Sequence, residues 1–292
     1  MTLVMVAKDA GLFNEAGVDV EIKEFTAGKF ALQAFLGDSL DVAVSGEVPV
    51  ALASLQGNHF RVISQVVERT VNECRVVARR DEGMTTTAAF FKVGRRKLAT
   101  SFGGGPEYFT HRFLAKHGIA LTDVELISQR PEDMPAALAS GSVDAISIFD
   151  PFARMAEVQM GSNGVTFADA GIYSELYVAN VKQETIAQKA TALLAFVKGL
   201  DEAARFTAEH PDEAKKIMMK YTKLDRSIVD AIWPNFVFKP ALTPLFPTYT
   251  TAEAKWAVGK GTFPAGTPIP DFHAIMYPDF LRQVNPALVT VE

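Results

Sequence analysis

Glu47 and Asp150 are the first residues in this chain whose type and setting could do chemistry. Glu47 closes the run "DVAVSGEVP" and Asp150 closes "VDAISIFDP". Each follows a short apolar run of the kind that forms a buried strand, and ligands of open α/β sheets bind at the carboxyl ends of such strands. The pair could serve as general acid and base. Neither motif supplies a second ionisable partner, however, so a polar binding contact is the better reading. A third feature is "SFGGGPEYF", residues 101–109. Gly103, Gly104 and Gly105 would let the backbone approach a ligand with no Cβ in the way. Pro106 then suits a first helical turn, whose free N–H groups attract an anion. The alternative is a tight strand-to-helix turn that holds nothing.

Other chemistries find less support. The glycine stretch continues Pro-Glu-Tyr, so it lacks the Gly-Lys-Ser/Thr ending of a phosphate loop and does not match the dinucleotide fingerprint. His59, His111, His117, His210 and His273 form no H-E-x-x-H, and the spacing of His111 and His117 separates them around a helix. No G-x-S-x-G elbow occurs. Cys74 is the only cysteine, which leaves no intrachain disulfide and no thiolate zinc site. It reads as a small buried thiol. We therefore expect no catalytic residue, no metal and no cofactor.

The elements that must position these residues follow from pattern. A chain of 292 residues suits two lobes. Its net charge of −5 argues against nucleic acid, which needs a basic face. No apolar stretch approaches the roughly 20 residues of a membrane span. Residues 18–25 alternate like a half-buried strand, and residues 30–36 read as a helix. Strands at 41–44 and 61–66 then flank a helix at 50–55. In the middle of the chain the order recurs, with strands at 97–100, 123–127 and 143–148 and helices at 108–117 and 136–139. Alternating strands and helices predict an α/β fold with a largely parallel sheet.

Residue identities also echo at a separation of 103. Ala34 matches Ala137, Ser39 matches Ser142, Asp41 matches Asp144, and Glu47 matches Asp150. Two similar α/β lobes explain the echo. The second copy begins with a strand and the glycine loop, whereas the first begins directly with a helix at 1–13. The first lobe is therefore expected to lack its opening strand; a strand at 2–7 is the alternative. Beyond 181 the chain turns to long amphipathic helices, with a break and restart at His210-Pro211 and a further helix at 225–233. The segment from 239 holds eight prolines, with helical candidates in "YTTAEAKWAVGKG" and "DFHAIMYPDFLRQV".

Four stretches bring a family into view: "AKDAGLFNEAGVDVEI", "LQAFLGDSLDVAVSG", "PEDMPAALASGSVDAISIFDPF" and "ATALLAFVKGLDEAARFTAEHPDEA". In this order they resemble the solute-binding proteins of ABC importers of the nitrate/taurine/alkanesulfonate type, a group that includes receptors for thiamine pyrimidine precursors. The resemblance runs from residue 1 to about 213. It implies a two-lobed type II periplasmic-binding-protein-like fold. Each lobe would be a mixed, mainly parallel sheet with flanking helices, and the ligand cleft would lie between lobes. Lobe 1 would comprise residues 1–77 and 180–292, and lobe 2 residues 78–179. Ligand contacts would come from Thr26, Gly28, Ser45, Gly46 and Glu47 in the first lobe. In the second they would come from Ser101, Phe102, Gly103, Gly104, Gly105, Phe149 and Asp150. The partners implied are a small solute and the permease subunits of an ABC transporter, with hinge closure on the ligand. The location implied is periplasmic or otherwise extracytoplasmic, with an export signal or lipid anchor outside this sequence.

Two departures bear on the solute. Sulfonate-binding relatives often carry Gly-Ser in the second-lobe loop and Trp before the Asp-Pro, where this chain has Gly-Gly and Phe149. Glu47 adds a carboxylate that repels an oxyanion at close range. The expected ligand therefore has an anionic or carbonyl end near Gly103–Gly105 and a cationic or N–H donor end near Glu47 or Asp150. Taurine-like zwitterions and aminopyrimidines both fit. The alternatives are an enzyme resembling the thiamine-pyrimidine synthases, whose cysteine-rich motif is absent here, and a cytosolic ligand sensor.

Overall fold

A computed structural model describes residues 1–69, 74–81 and 84–291. The chain forms two compact units, Met1–Glu68 with Leu176–Glu292, and Arg69–Glu175. It opens with helices α1 (Thr2–Asp9) and α2 (Leu12–Ala16), so residues 2–7 are helical. There follow α3 (Gly28–Leu36), β1 (Val42–Gly46), α4 (Glu47–Leu55) and β2 (Arg61–Arg69). The second unit contains β3 (Cys74–Arg79), α5 (Thr87–Phe91), β4 (Arg96–Thr100), α6 (Gly105–Lys116) and β5 (Val124–Ser128). It ends with α7 (Met134–Ser140), β6 (Ala145–Phe149), α8 (Phe152–Met160) and β7 (Gly164–Phe167). The return to the first unit brings β8 (Glu175–Val181), α9 (Gln183–Glu209), α10 (Pro211–Thr222) and α11 (Arg226–Ile232). Last come β9 (Phe236–Ala241), α12 (Leu245–Gly259) and α13 (Asp279–Val284).

Strand order is β1-β8-β2-β9 in the first sheet and β5-β4-β6-β3-β7 in the second. β4 runs parallel to β5 and β6, while β3 runs antiparallel to β6 and β7. β1 is antiparallel to β8. These pairings move the unit boundaries away from the expected 77/78 and 179/180. β3 lies wholly in the second sheet, so the first junction precedes it; β8 completes the first sheet, so the return comes after Glu175.

The echo at 103 has a structural counterpart. Strands β1 and β6 start and end 103 residues apart. The helices before them close with the same cap. Asp38 (φ 62°) and Gly141 (φ 78°) adopt the left-handed conformation. Ser39 N–H then donates to Ala34 carbonyl and Ser142 N–H to Ala137 carbonyl, at 2.9 and 3.0 Å. This six-to-one bond satisfies a carbonyl that the helix end would otherwise orphan.

Residues 18–25 differ from expectation. Val18, Val20 and Ile22 are half-buried while Asp19, Glu21 and Lys23 are exposed, yet the segment forms no ladder with another described segment. Alternation sets which side chains face inward, whereas a strand also needs a hydrogen-bonding neighbour. The stretch "DFHAIMYPDFLRQV" is helical only after Pro278, where α13 begins; proline is tolerated at a helix start but not inside one. α10 carries Pro211 at its first position and Asp212 and Glu213 in its first turn, as the sequence predicts.

Each unit has its own core. In the first, α9 buries Leu193, Phe196, Val197, Leu200 and Ala203, and Phe13 of α2 stacks on Phe196 with ring centroids 5.2 Å apart. Gly199 makes that stacking possible, because a Cβ there would stand 2.4 Å from Phe13 Cδ1. In the second, Val77, Ala99, Ile146 and Ile148 of the sheet pack with Met134 and Leu138 of α7.

Candidate functional site

In the first unit the proposed contacts gather where α3 and α4 start. Gly28 is packed on β1, since a Cβ there would stand 2.9 Å from Ser45 Cα and 3.2 Å from Gly46 N. Only a residue without a side chain lets the helix start meet the strand backbone so closely. Thr26, just upstream, is exposed. Ser45 is fully buried, and its Oγ accepts from Asn180 Nδ2 at 3.0 Å. Glu47 opens α4, where a carboxylate complements the helix dipole. Its side chain is fully buried, and Oε2 accepts the Leu176 N–H at 2.8 Å.

In the second unit, β4 leads through Ser101–Gly104 into α6. Gly103 has φ 78°, the left-handed region that glycine adopts without strain. Gly104 is the extended residue that caps α6. Gly105 serves a different end: a Cβ there would stand 2.3 Å from the Tyr173 hydroxyl and 2.9 Å from two ring carbons. The close approach that three glycines announce is therefore made, at Gly105, by the chain's own tyrosine. Tyr108 meets the same ring edge-on, with centroids 5.8 Å apart. Gly103 N–H donates to Glu107 Oε2 at 2.8 Å, so an acid in the first turn of α6 already occupies this donor. Thr110 fastens α6 to the sheet through Ser147 Oγ (2.7 Å) and Thr100 Oγ1 (3.2 Å). Ser101 is 1% exposed, and its Oγ has no hydrogen-bond partner among the described residues. Phe102 is exposed.

These contacts predict unequal costs for two glycines. Gly105→Ala is expected to destabilise by about 1–3 kcal/mol, because the Tyr173 ring must leave its place. Gly103→Ala meets nothing within 4 Å and pays only the left-handed backbone cost of about 1–2 kcal/mol. Urea unfolding measures both. Adding Tyr173→Phe should recover part of the Gly105→Ala loss and none of the Gly103→Ala loss.

Asp150 lies after β6 and accepts the Arg154 N–H of α8 at 3.2 Å. Its carboxylate is held bidentately by Arg75, with Nη1–Oδ2 2.9 Å and Nη2–Oδ1 2.8 Å. Arg69 adds a contact at 3.9 Å. Arg75 reaches a second acid, Glu157, through Nε–Oε1 at 2.6 Å. Burial works against the Arg75 charge, but the hydrogen bonds it donates to Glu157 and Asp150, together with the charges of those acids, outweigh it and raise the guanidinium pKa. Burial likewise pushes Glu157 up, and the Arg75 hydrogen bond and charge more than offset it, leaving its pKa lowered. Phe149 is half-buried and meets Phe152 edge-on at 5.7 Å.

Each of these groups thus has a partner within its own unit: a bidentate arginine holds Asp150, Glu47 accepts a backbone N–H, and Gly103 N–H donates to a carboxylate. Arg75, Glu107 and Tyr173 are the residues that motif reading missed. Glu107 had a legible signal, an acid three residues beyond the Gly104 cap. Arg75 had a weaker one, a charge inside an apolar strand. Tyr173 had none, because its contact is made across many residues of chain. Among the described residues no group of three or more His, Cys, Asp or Glu is placed to hold a metal ion, and no helix is long and apolar enough to cross a membrane.

This architecture recurs in solved proteins. An alkanesulfonate-binding protein SsuA from Xanthomonas axonopodis pv. citri, bound to MOPS, superposes with a TM-score of 0.79 at 18% identity, covering 95% of both chains. The periplasmic nitrate-binding protein NrtA from Synechocystis PCC 6803 gives 0.76 at 16% identity, covering 98% of this chain and 86% of that one. The desulfurization enzyme DSZB gives 0.66 at 15%, covering 98% and 96%. The fold is accordingly the two-lobed periplasmic-binding-protein fold. Residues 1–214 match the NMT1/THI5-like family, and the chain belongs to it. Among curated relatives, one from Brucella abortus (strain 2308) that carries a binding-protein name is 25% identical over 232 residues, 77% of this chain and 69% of its own. One from Bacillus subtilis (strain 168) that carries the name aliphatic sulfonates-binding protein is 23% identical over 237 residues, 80% and 70% of the two chains.

Proposed function

We propose that this protein is a solute-binding receptor of an ABC importer, acting outside the cytoplasm on a small polar organic solute and passing it to a membrane permease. The observation that carries this reading is the family match over residues 1–214. The repeated unit of strand, buried acid and helix start fits it, since Glu47 and Asp150 stand at equivalent strand ends in the two units. The residues proposed to meet the solute are Thr26, Gly28 and Ser45–Glu47 in one unit and Ser101–Gly105, Phe149 and Asp150 in the other. Glu47 and Asp150 serve chiefly to hold the loops in shape. The solute class that the relatives' names carry is aliphatic sulfonates; a Haemophilus influenzae relative named for thiamine biosynthesis is in keeping with the aminopyrimidines expected from the sequence.

A second reading is an enzyme on the same fold, favoured by the likeness to the desulfurization enzyme DSZB, since one fold hosts both binding and catalysis. Native mass spectrometry of freshly purified protein separates the two. A receptor is expected to retain a small molecule, release it unchanged on denaturation, and bind it with a Kd of micromolar or below by calorimetry. Chemical conversion of the solute with turnover would establish the enzyme instead. Failure of sulfonates, taurine and aminopyrimidines to bind, with no retained solute, would sink the receptor reading.

A further inference from the structure

The acids around these loops differ in how they are satisfied. Glu47 holds the Leu176 N–H, Glu107 holds the Gly103 N–H, and Asp150 is clamped by Arg75. Glu175, the first residue of β8, is 4% exposed, and its Oε2 has no hydrogen-bond partner among the described residues. Its place in the chain ties it to the loops. Two residues earlier, Tyr173 covers Gly105 of the glycine loop. One residue later, Leu176 donates its N–H to Glu47. A buried acceptor without a donor is costly, and more so when it carries charge, so native proteins seldom keep one without a use.

From this we infer that Glu175 reads a cationic or N–H-donating nitrogen group on the solute. The role rests on the receptor reading above and narrows it to amines, amidines or aminoheteroarenes. It also transfers to Glu175 the part that sequence alone assigned to Glu47 or Asp150. An amino or ammonium hydrogen would supply the donor that Oε2 lacks. A bare oxyanion such as nitrate or a simple alkanesulfonate has no such hydrogen; beside Glu175 it would leave the oxygen unpaired and meet like charge.

Matched solute pairs test the role on the full chain. Taurine is compared with ethanesulfonate, and 4-amino-2-methylpyrimidine with 2-methylpyrimidine, by calorimetry on wild type and Glu175→Gln. Any solute retained through purification is identified by native mass spectrometry and titrated alongside. Wild type is expected to favour the nitrogen-bearing member of at least one pair by tenfold or more, and Glu175→Gln to lose most of that preference. The variant should fold and melt close to wild type without solute, because Gln keeps the size of the side chain and Oε2 has no donor to lose among the described residues. A variant that fails to fold would mean that the carboxylate has a structural partner and would overturn the role. So would unchanged affinities in the variant, a wild-type preference for the nitrogen-free member, or a retained solute without an N–H donor. The last three outcomes leave the receptor reading standing. Absence of binding by every probe, with no retained solute, overturns both.

Discussion

Arg75→Met is expected to destabilise the second unit by about 3 kcal/mol, the lower part of the range for breaking a buried ion pair. The Arg75 side chain is 9% exposed and bridges Asp150 at 1% and Glu157 at 18%. Without it Asp150 loses its hydrogen-bonded cation while staying out of water, and Glu157 keeps Arg154 alone as a cationic partner, at 3.2 Å. Arg69, 3.9 Å from Asp150, prevents a complete loss of compensation, which argues for the lower figure. Urea unfolding at neutral pH measures the cost. Arg75→Met combined with Asp150→Asn and Glu157→Gln should recover part of it, since removing both sides of a buried ion pair is milder than removing one, while Arg69 keeps its charge and loses its contact with the Asp150 carboxylate. A triple variant as unstable as the single one would show that arginine packing, not charge, is what matters.

The same cluster sets an acid dependence. Glu157 has a folded pKa below its ordinary value of 4.5. A depressed carboxylate contributes stability that is fully present above its unfolded pKa and is lost as pH falls through the lowered folded one. Wild type should therefore lose stability below about pH 4.5, and Glu157→Gln should show a shallower loss over that window.

Phe13→Ala is expected to cost about 3–5 kcal/mol, the usual price of deleting a fully buried aromatic ring. Phe13 is 0% exposed and lies against α9, stacked on Phe196 and seated over Gly199. The pairing with Gly199 makes a sharper test. Gly199→Ala alone overpacks the site, because its Cβ would stand 2.4 Å from Phe13 Cδ1, and should destabilise by about 1–3 kcal/mol. In the Phe13→Ala background the added methyl enters the vacated space, and the glycine also gives up its helix-interior penalty. There Gly199→Ala should stabilise. A double-mutant cycle with no change of sign would mean that the cavity collapses by itself.

Much of the frame was legible because it rests on local rules. The cap at Asp38 and the cap at Gly141 reproduce one geometry because Ala34/Ala137 and Ser39/Ser142 repeat at fixed spacing, and a helix end is decided within six residues. Pro211 and the acids behind it marked the start of α10 for the same reason. Residues 18–25 were misread because alternation reports burial and says nothing of a ladder neighbour. β3 escaped notice as an element, and with it the unit boundary, because strand pairing is a contact between distant segments.

For the candidate site the division is similar. The chain alone pointed to the candidate loops: a glycine run before Pro106, and acids at two equivalent strand ends, are properties of types and spacing along it. Tertiary structure decided what those groups are free to do. Arg75 claims Asp150, Leu176 claims Glu47, Tyr173 fills the space over Gly105, and Glu175 keeps an oxygen without a donor among the described residues. Burial and partnership depend on which distant residues arrive beside a group, so the polarity of a site is set by packing even where its members can be named from the chain.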